Sequence, residues 1–187
     1  MRNTIIRNNR NLLSILFLGL MTFGIGSCDL VDEATKVEFD MSFISSVEIP
    51  ASSGLNLPFN LFTPDIETDS EATFGVNNTK KELVEKVNLT SMNLTITSPN
   101  DQRFDFLDEI TVYIKADGLD EIQIAYAENI PENIGNELEL TVTGNNLKDY
   151  IIEDEFTLRV NTVANQTISE DIDIKVASEF NVIADVL

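Results

Sequence analysis

Between residues 171 and 186 the apolar side chains fall on alternate positions. Ile172, Ile174, Val176, Phe180, Val182, Ala184 and Val186 are even, while Asp171, Asp173, Lys175, Glu179, Asn181 and Asp185 are odd. A period of two places one set on each face of an extended chain, whereas a helix would scatter both sets around its circumference. The stretch buries its apolar set only as a β-strand against a core. It exceeds a typical strand length, which predicts a bend or bulge near Ala177–Ser178.

The same period recurs upstream. Val37, Phe39, Met41 and Phe43 oppose Lys36, Glu38, Asp40 and Ser42. Leu55, Leu57, Phe59 and Leu61 align, and Pro58 falls on the other face, where its missing N–H predicts an edge strand or bulge. Val87 and Leu89 share one phase and Met92, Leu94 and Ile96 the other, so a bulge is expected near Ser91. Ile110, Val112, Ile114 and Ala116 lead into the turn Asp117-Gly118-Leu119-Asp120 and a further set, Ile122, Ile124 and Tyr126. Leu138, Leu140 and Val142, then Phe156, Leu158 and Val160, complete the pattern.

Between these runs, residues 62–78 read as a loop and Pro99-Asn100-Asp101 as a turn. One short helix is expected over Asn78–Lys86, capped by Asn78 or Thr79, with Leu83, Val84 and Val87 facing the core. A helical turn over residues 146–152 would bury Leu147, Tyr150 and Ile151. Seven to nine strands separated by turn residues predict an all-β fold, an antiparallel Ig-like β-sandwich with one or two short helices. A barrel is the alternative, without the aromatic girdles of an outer-membrane barrel.

The N-terminus has a different design. Arg2, Arg7 and Arg10 precede an apolar stretch from Leu12 to Ile25. That stretch is shorter than the roughly 20 residues of a spanning helix and matches the apolar region of a secretory signal peptide. Ile25-Gly26-Ser27-Cys28 follows, and it resembles the lipobox of bacterial lipoproteins. The expected organisation is a signal peptide at 1–27, a lipidated cysteine with its tether at 28–35, and a β-sandwich at 36–187. Cys28 is the only cysteine, so the expected lipidation consumes it and the fold is held by its core alone. Two or three acyl chains, at about 0.8 kcal/mol per buried methylene, anchor stably where one does not. Asp29 after the cysteine is an inner-membrane retention signal in enterobacteria. Asp29, Asp32 and Glu33 together look like the acidic tether of surface lipoproteins in Bacteroidota. The outer membrane is the expected location, on its periplasmic or its surface-exposed face.

Residues 1–27 hold three of the 12 basic and none of the 32 acidic residues, leaving nine against 32 and a net charge of −23. Such a surface repels nucleic acid, which requires a basic footprint. Its simplest role is solubility; attraction to a basic partner or calcium is the alternative. The chain contains no histidine. Histidine-based nucleophilic catalysis and His-ligated zinc or iron are therefore excluded, and no glycine-rich phosphate loop is present. Carboxylates remain. Asp117, Asp120 and Glu121 are calcium candidates, although their spacing is not that of an EF-hand, and a solvated turn is the plainer reading. Asp101, Asp105, Asp108 and Glu109 form a second acidic cluster. A hydrolase using carboxylates alone would need two acids roughly 5–9.5 Å apart. Tryptophan is absent, which weakens a sugar-stacking reading, but Tyr113, Tyr126, Tyr150 and the phenylalanines remain. The sequons at Asn77, Asn88, Asn93 and Asn165 carry no glycan meaning in a bacterial lipoprotein.

The series Leu55-Asn56-Leu57-Pro58, Asn78-Thr79-Lys80-Lys81-Glu82-Leu83-Val84, Leu94-Thr95-Ile96-Thr97-Ser98-Pro99 and the even-spaced final strand resembles a group of uncharacterised flavobacterial lipoproteins. The resemblance implies the anchor and the sandwich and carries over no functional residues. A fold-level likeness links the paired strands to the water-stress domain of late-embryogenesis proteins. The expectation is a non-enzymatic envelope lipoprotein without a cofactor, attached to the membrane through Cys28 and binding another envelope protein. A carbohydrate- or calcium-binding module is the alternative.

Overall fold

Alternation dictates strands, and ten form within residues 35–51 and 57–187, which the computed structural model describes. In chain order they are β1 (Lys36–Ile49), β2 (Pro58–Phe62), β3 (Ile66–Glu67), β4 (Val84–Ser98), β5 (Leu107–Lys115), β6 (Ile122–Glu128), β7 (Glu137–Glu139), β8 (Thr141–Val142), β9 (Glu155–Ala164) and β10 (Ile172–Asp185). Two short helices, α1 (Ser70–Val76) and α2 (Lys148–Ile151), lie between them. One sheet runs β1-β10-β4-β7 and the other β2-β9-β5-β6-β8, with β3 also pairing β9. All pairings are antiparallel, giving a β-sandwich and no closed barrel among the described residues. The ten strands exceed the expected seven to nine because β3, β7 and β8 are only two or three residues long.

The facing sides of the two sheets make the core. Phe43 and Phe180 from the first sheet meet Phe156 from the second, edge to face, with ring centroids 5.3, 5.6 and 6.1 Å apart. Phe156 and Phe180 are fully buried. Aromatic rings in this geometry add to the burial of their large apolar area.

β10 keeps its inward set at 172, 174, 176, 178, 180, 182 and 184 without interruption. Of the bend or bulge expected near Ala177–Ser178, no bulge forms there in β10, and the extra residues lie across the ladder in β4. There the register slips three times, leaving Glu85, Thr90 and Thr97 as extra residues opposite β10. The buried positions of β4 are accordingly Val84, Val87, Leu89, Met92, Leu94 and Ile96. The bulge expected near Ser91 is the one at Thr90.

The helix expected over Asn78–Lys86 is also corrected. Thr79 is buried, and its hydroxyl donates to the Asp185 carbonyl at 2.6 Å instead of capping a helix. Lys81–Leu83 make a single 3-10 turn, and Val84 already pairs with Ala184 in the ladder. α1 forms inside the segment read as loop, and β3 precedes it. Phe74 is the one large apolar side chain that α1 buries, against Phe39 at 6.0 Å. A single anchor gives no helical period to read. The turn over 146–152 forms as expected, burying Leu147, Tyr150 and Ile151.

Two other runs differ from their simple phase. Ile124 is an extra residue opposite Val112–Tyr113, so Ile124 and Ala125 both point inward and Tyr126 turns outward. Leu138 and Leu140 are buried, but the chain leaves the first sheet after β7 and joins the second at β8. Pro58 opens an edge strand, as its missing N–H requires. Leu57 is exposed, whereas Phe59 and Leu61 pack against the core. Leu55 and Asn56 lie outside the described residues, as do Cys28, the expected signal peptide at 1–27 and residues 29–34 of the expected tether.

Candidate functional site

The turn that joins β5 to β6 carries the calcium candidates. Gly118 adopts φ +70°, a conformation that glycine takes at little cost, and the Leu119 N–H closes the turn on the Ala116 carbonyl. Asp117 and Asp120 border an open cleft of about 490 Å3, together with Asp65 from the β2–β3 connection and Glu155 at the start of β9. Glu121 does not join them. Its carboxylate is held by Arg159, whose Nε donates to Oε2 at 2.8 Å and whose Nη2 donates to Oε1. This hydrogen bonding, with the charge of Arg159, keeps the Glu121 carboxyl below its usual range and the guanidinium above its own. Among the described residues no three acidic, histidine or cysteine side chains converge to hold a metal ion. The three calcium candidates are thus divided, with two at the cleft and one in an ion pair.

Tyr150 fixes this turn from below. Its hydroxyl donates to the Asp120 carbonyl at 2.6 Å. Burial, then the charges of Asp120 and Asp149, push the phenol up. A second cleft of about 520 Å3 lies between Glu67–Ala72 and Asp154–Glu155. Lys81 pairs with Asp154 there at 2.8 Å and holds that carboxyl down. The other acidic cluster is dispersed. Asp101 is in an exposed turn, Asp105 in the 3-10 turn Phe104–Phe106, and Asp108 is an extra residue of β5 whose carboxylate accepts from Asn165 at 2.7 Å. Glu109 stands opposite Glu128 on the outside of the second sheet.

Arg159 belongs to a larger arrangement that the sequence conceals, because its members come from five strands. Two registered rows cross the outer face of the second sheet. The first runs Phe62, Arg159, Tyr113, Gln123. The second runs Asn60, Asn161, Thr111, Tyr126, Thr141. The guanidinium carbon of Arg159 lies 4.0 Å from the centre of the Tyr113 ring, a cation–π contact. Its Nη1 donates to Asn60 Oδ1 at 2.6 Å, and Asn161 Nδ2 donates to the same oxygen at 2.9 Å. The signal available beforehand was the parity of Tyr113 and Arg159, each outward in its own strand; the bulge at Ile124 hid that of Tyr126.

Among the described residues no helix is long and apolar enough to cross a membrane. No family model matches the chain, and no curated protein does. Among solved structures, a chain of Desmodium yellow mottle tymovirus is similar at 8% identity, covering 81% of this chain and 90% of that chain with a TM-score of 0.25. A superposition that loose carries no argument about fold or function.

Proposed function

We propose that the protein is a lipid-anchored, non-catalytic component of the bacterial cell envelope, held at the outer membrane and serving as an accessory subunit that binds another envelope protein. The observation that carries this reading is the place of Cys28. It is the only cysteine, it follows Ile25-Gly26-Ser27, and seven residues separate it from the start of β1. At no more than about 3.6 Å per residue, that tether holds the domain within about 30 Å of the lipid. The lack of histidine and of any second cysteine removes the commonest catalytic nucleophile–base pairs.

β1 supports the protein-binding part. It is the edge of its sheet, pairing with β10 on one side and with no other strand among the described residues. Ile44, in its middle, is 73% exposed. An edge strand offers unpaired backbone groups to an incoming strand, while charges such as Glu38, Asp40 and Glu48 discourage self-association. Photo-crosslinking from position 44 in intact cells tests the partner. A discrete heavier adduct in the outer-membrane fraction is expected. A monodisperse monomer with no adduct rules out the accessory-subunit reading.

A further inference from the structure

The outer faces of the two sheets differ in chemistry. The first carries the charges expected of so acidic a chain, with Glu38, Asp40 and Glu48 on β1 and Asp173 and Glu179 on β10 exposed. The two central rows of the second contain one charged side chain, Arg159, and Glu121 neutralises it. The rest of those rows are amides, hydroxyls and aromatic rings. Phe62 is 66% exposed, and no other phenylalanine among the described residues is as open. Tyr113 and Tyr126 share this face, whereas Tyr150 is buried elsewhere.

We infer that this face is a binding platform for an extended, uncharged glycan. Sugar rings present flat C–H patches flanked by vicinal hydroxyls. Aromatic rings suit the patches, planar amides donate to and accept from the hydroxyls in pairs, and a guanidinium donates to them. Arg159 covers one face of the Tyr113 ring, so the stacking rings are Phe62 and Tyr126, three strands apart, about 14 Å across the sheet at the spacing of neighbouring strands, a separation on the scale of a short run of sugar rings. From β2 to β8 the second row spans about 19 Å, room for a short oligosaccharide. Asn60, Asn161 and Arg159 hold one another in place before any ligand arrives, which lowers the entropy lost on binding. Arg159 and Glu121 cancel within these rows, and in a chain of formal net charge −20 the neighbouring pair Glu109 and Glu128 on the same face disfavours a phosphate-bearing ligand at this place. The inference is independent of the anchor and of the β1 edge.

The test uses the full-length lipidated protein in detergent, by affinity electrophoresis and calorimetry against laminarin, xylan, mannan and pullulan, with alginate as the anionic control. Retardation by at least one of the four neutral polysaccharides is expected, unchanged by a calcium chelator. Phe62→Ala and Tyr126→Ala should each weaken binding at least tenfold, with an unaltered circular dichroism spectrum and melting temperature. Silence across the neutral panel overturns the inference, as does a preference for alginate or binding that survives both substitutions. So does a protein adduct from a photo-crosslinker at position 126 in a chain that retains no polysaccharide.

Discussion

The hydroxyl of Thr90 donates a 3.0 Å hydrogen bond to the carbonyl of Glu179, at the point where β4 carries one residue more than β10. Thr97 does the same to Asp173 at 3.2 Å, at another slip. Both bulges are therefore pinned by the side chain of the extra residue. They also explain a sequence conflict. β10 alternates strictly, whereas the apolar series of β4 skips at 84–87 and again at 89–92. An inserted residue restores the match, because a one-residue slip moves a whole strand segment to the opposite face.

Thr90→Val keeps the size and branching of the side chain and removes only the hydroxyl. It should lower stability by about 1 kcal/mol or less, since water can replace the donor at this exposed site. Deleting Thr90 should do far more, turning Val84, Val87 and Leu89 away from the core. Urea denaturation measures both: a small shift in midpoint for the substitution, and no cooperative transition for the deletion. A deletion variant that unfolds cooperatively near the wild-type midpoint would show that the bulge does not set the phase.

Glu121 supplies a pH dependence with a definite sign. Arg159 holds its carboxyl below the unfolded value. A group whose folded pKa is lowered contributes stability that is complete above its unfolded value, about 4.3 for glutamate, and is lost as the pH falls through the folded value. Partial exposure of the pair, with side chains 20% and 30% accessible, keeps the contribution to about 1 kcal/mol. Glu121→Gln should thus be less stable than wild type at pH 7, and the gap should narrow as the pH falls toward 2. Midpoints of urea denaturation at the two pH values check this; a gap that persists in acid assigns the loss to packing instead.

Phe180→Ala addresses the core. The ring is fully buried and touches both Phe43 and Phe156, so truncation leaves a cavity between the sheets. A loss of about 3–5 kcal/mol is expected, or roughly 10 °C in melting temperature for a domain of this size. Phe43→Ala should cost less, because β1 is an edge strand and Phe43 is only half-buried. Calorimetric melting temperatures rank the two, and a reversed order would place the packing centre at the edge.

The sandwich was legible because alternation is a local signal. Each of the runs beginning at Val37, Ile110, Phe156 and Ile172 announces a strand and its buried face without reference to a partner. What could not be read depends on partners. The bulges in β4 and β6 exist to match β10 and β5, and nothing within Val84–Ser98 says which neighbour it must fit. α1 was missed because tertiary contact with Phe39 stabilises it, not its own period. Asn78–Lys86 carries a helix-like pattern without forming a helix because cap-like residues can serve another end: Thr79 bonds the carbonyl of Asp185, 106 residues away. The Arg159 constellation failed for the same reason, since Asn60, Tyr113 and Glu121 meet it only across the sheet.

Cys28→Ala tests the proposed anchor apart from the fold. Among the described residues the buried apolar side chains of the core lie between Met41 and Ala184, and no internal disulfide is possible with one cysteine. The substitution should leave the melting temperature of the β-domain unchanged and move the protein out of the membrane fraction after a carbonate wash. It should also abolish incorporation of an alkyne-tagged fatty acid. A variant that stays with the membrane but takes up no fatty acid would replace the lipid with a protein tether. A variant that is released and no longer melts cooperatively would mean that the segment before Lys36 contributes to the fold. The first result would overturn the lipid attachment, and the second would overturn the independence of the sandwich from the segment that precedes it.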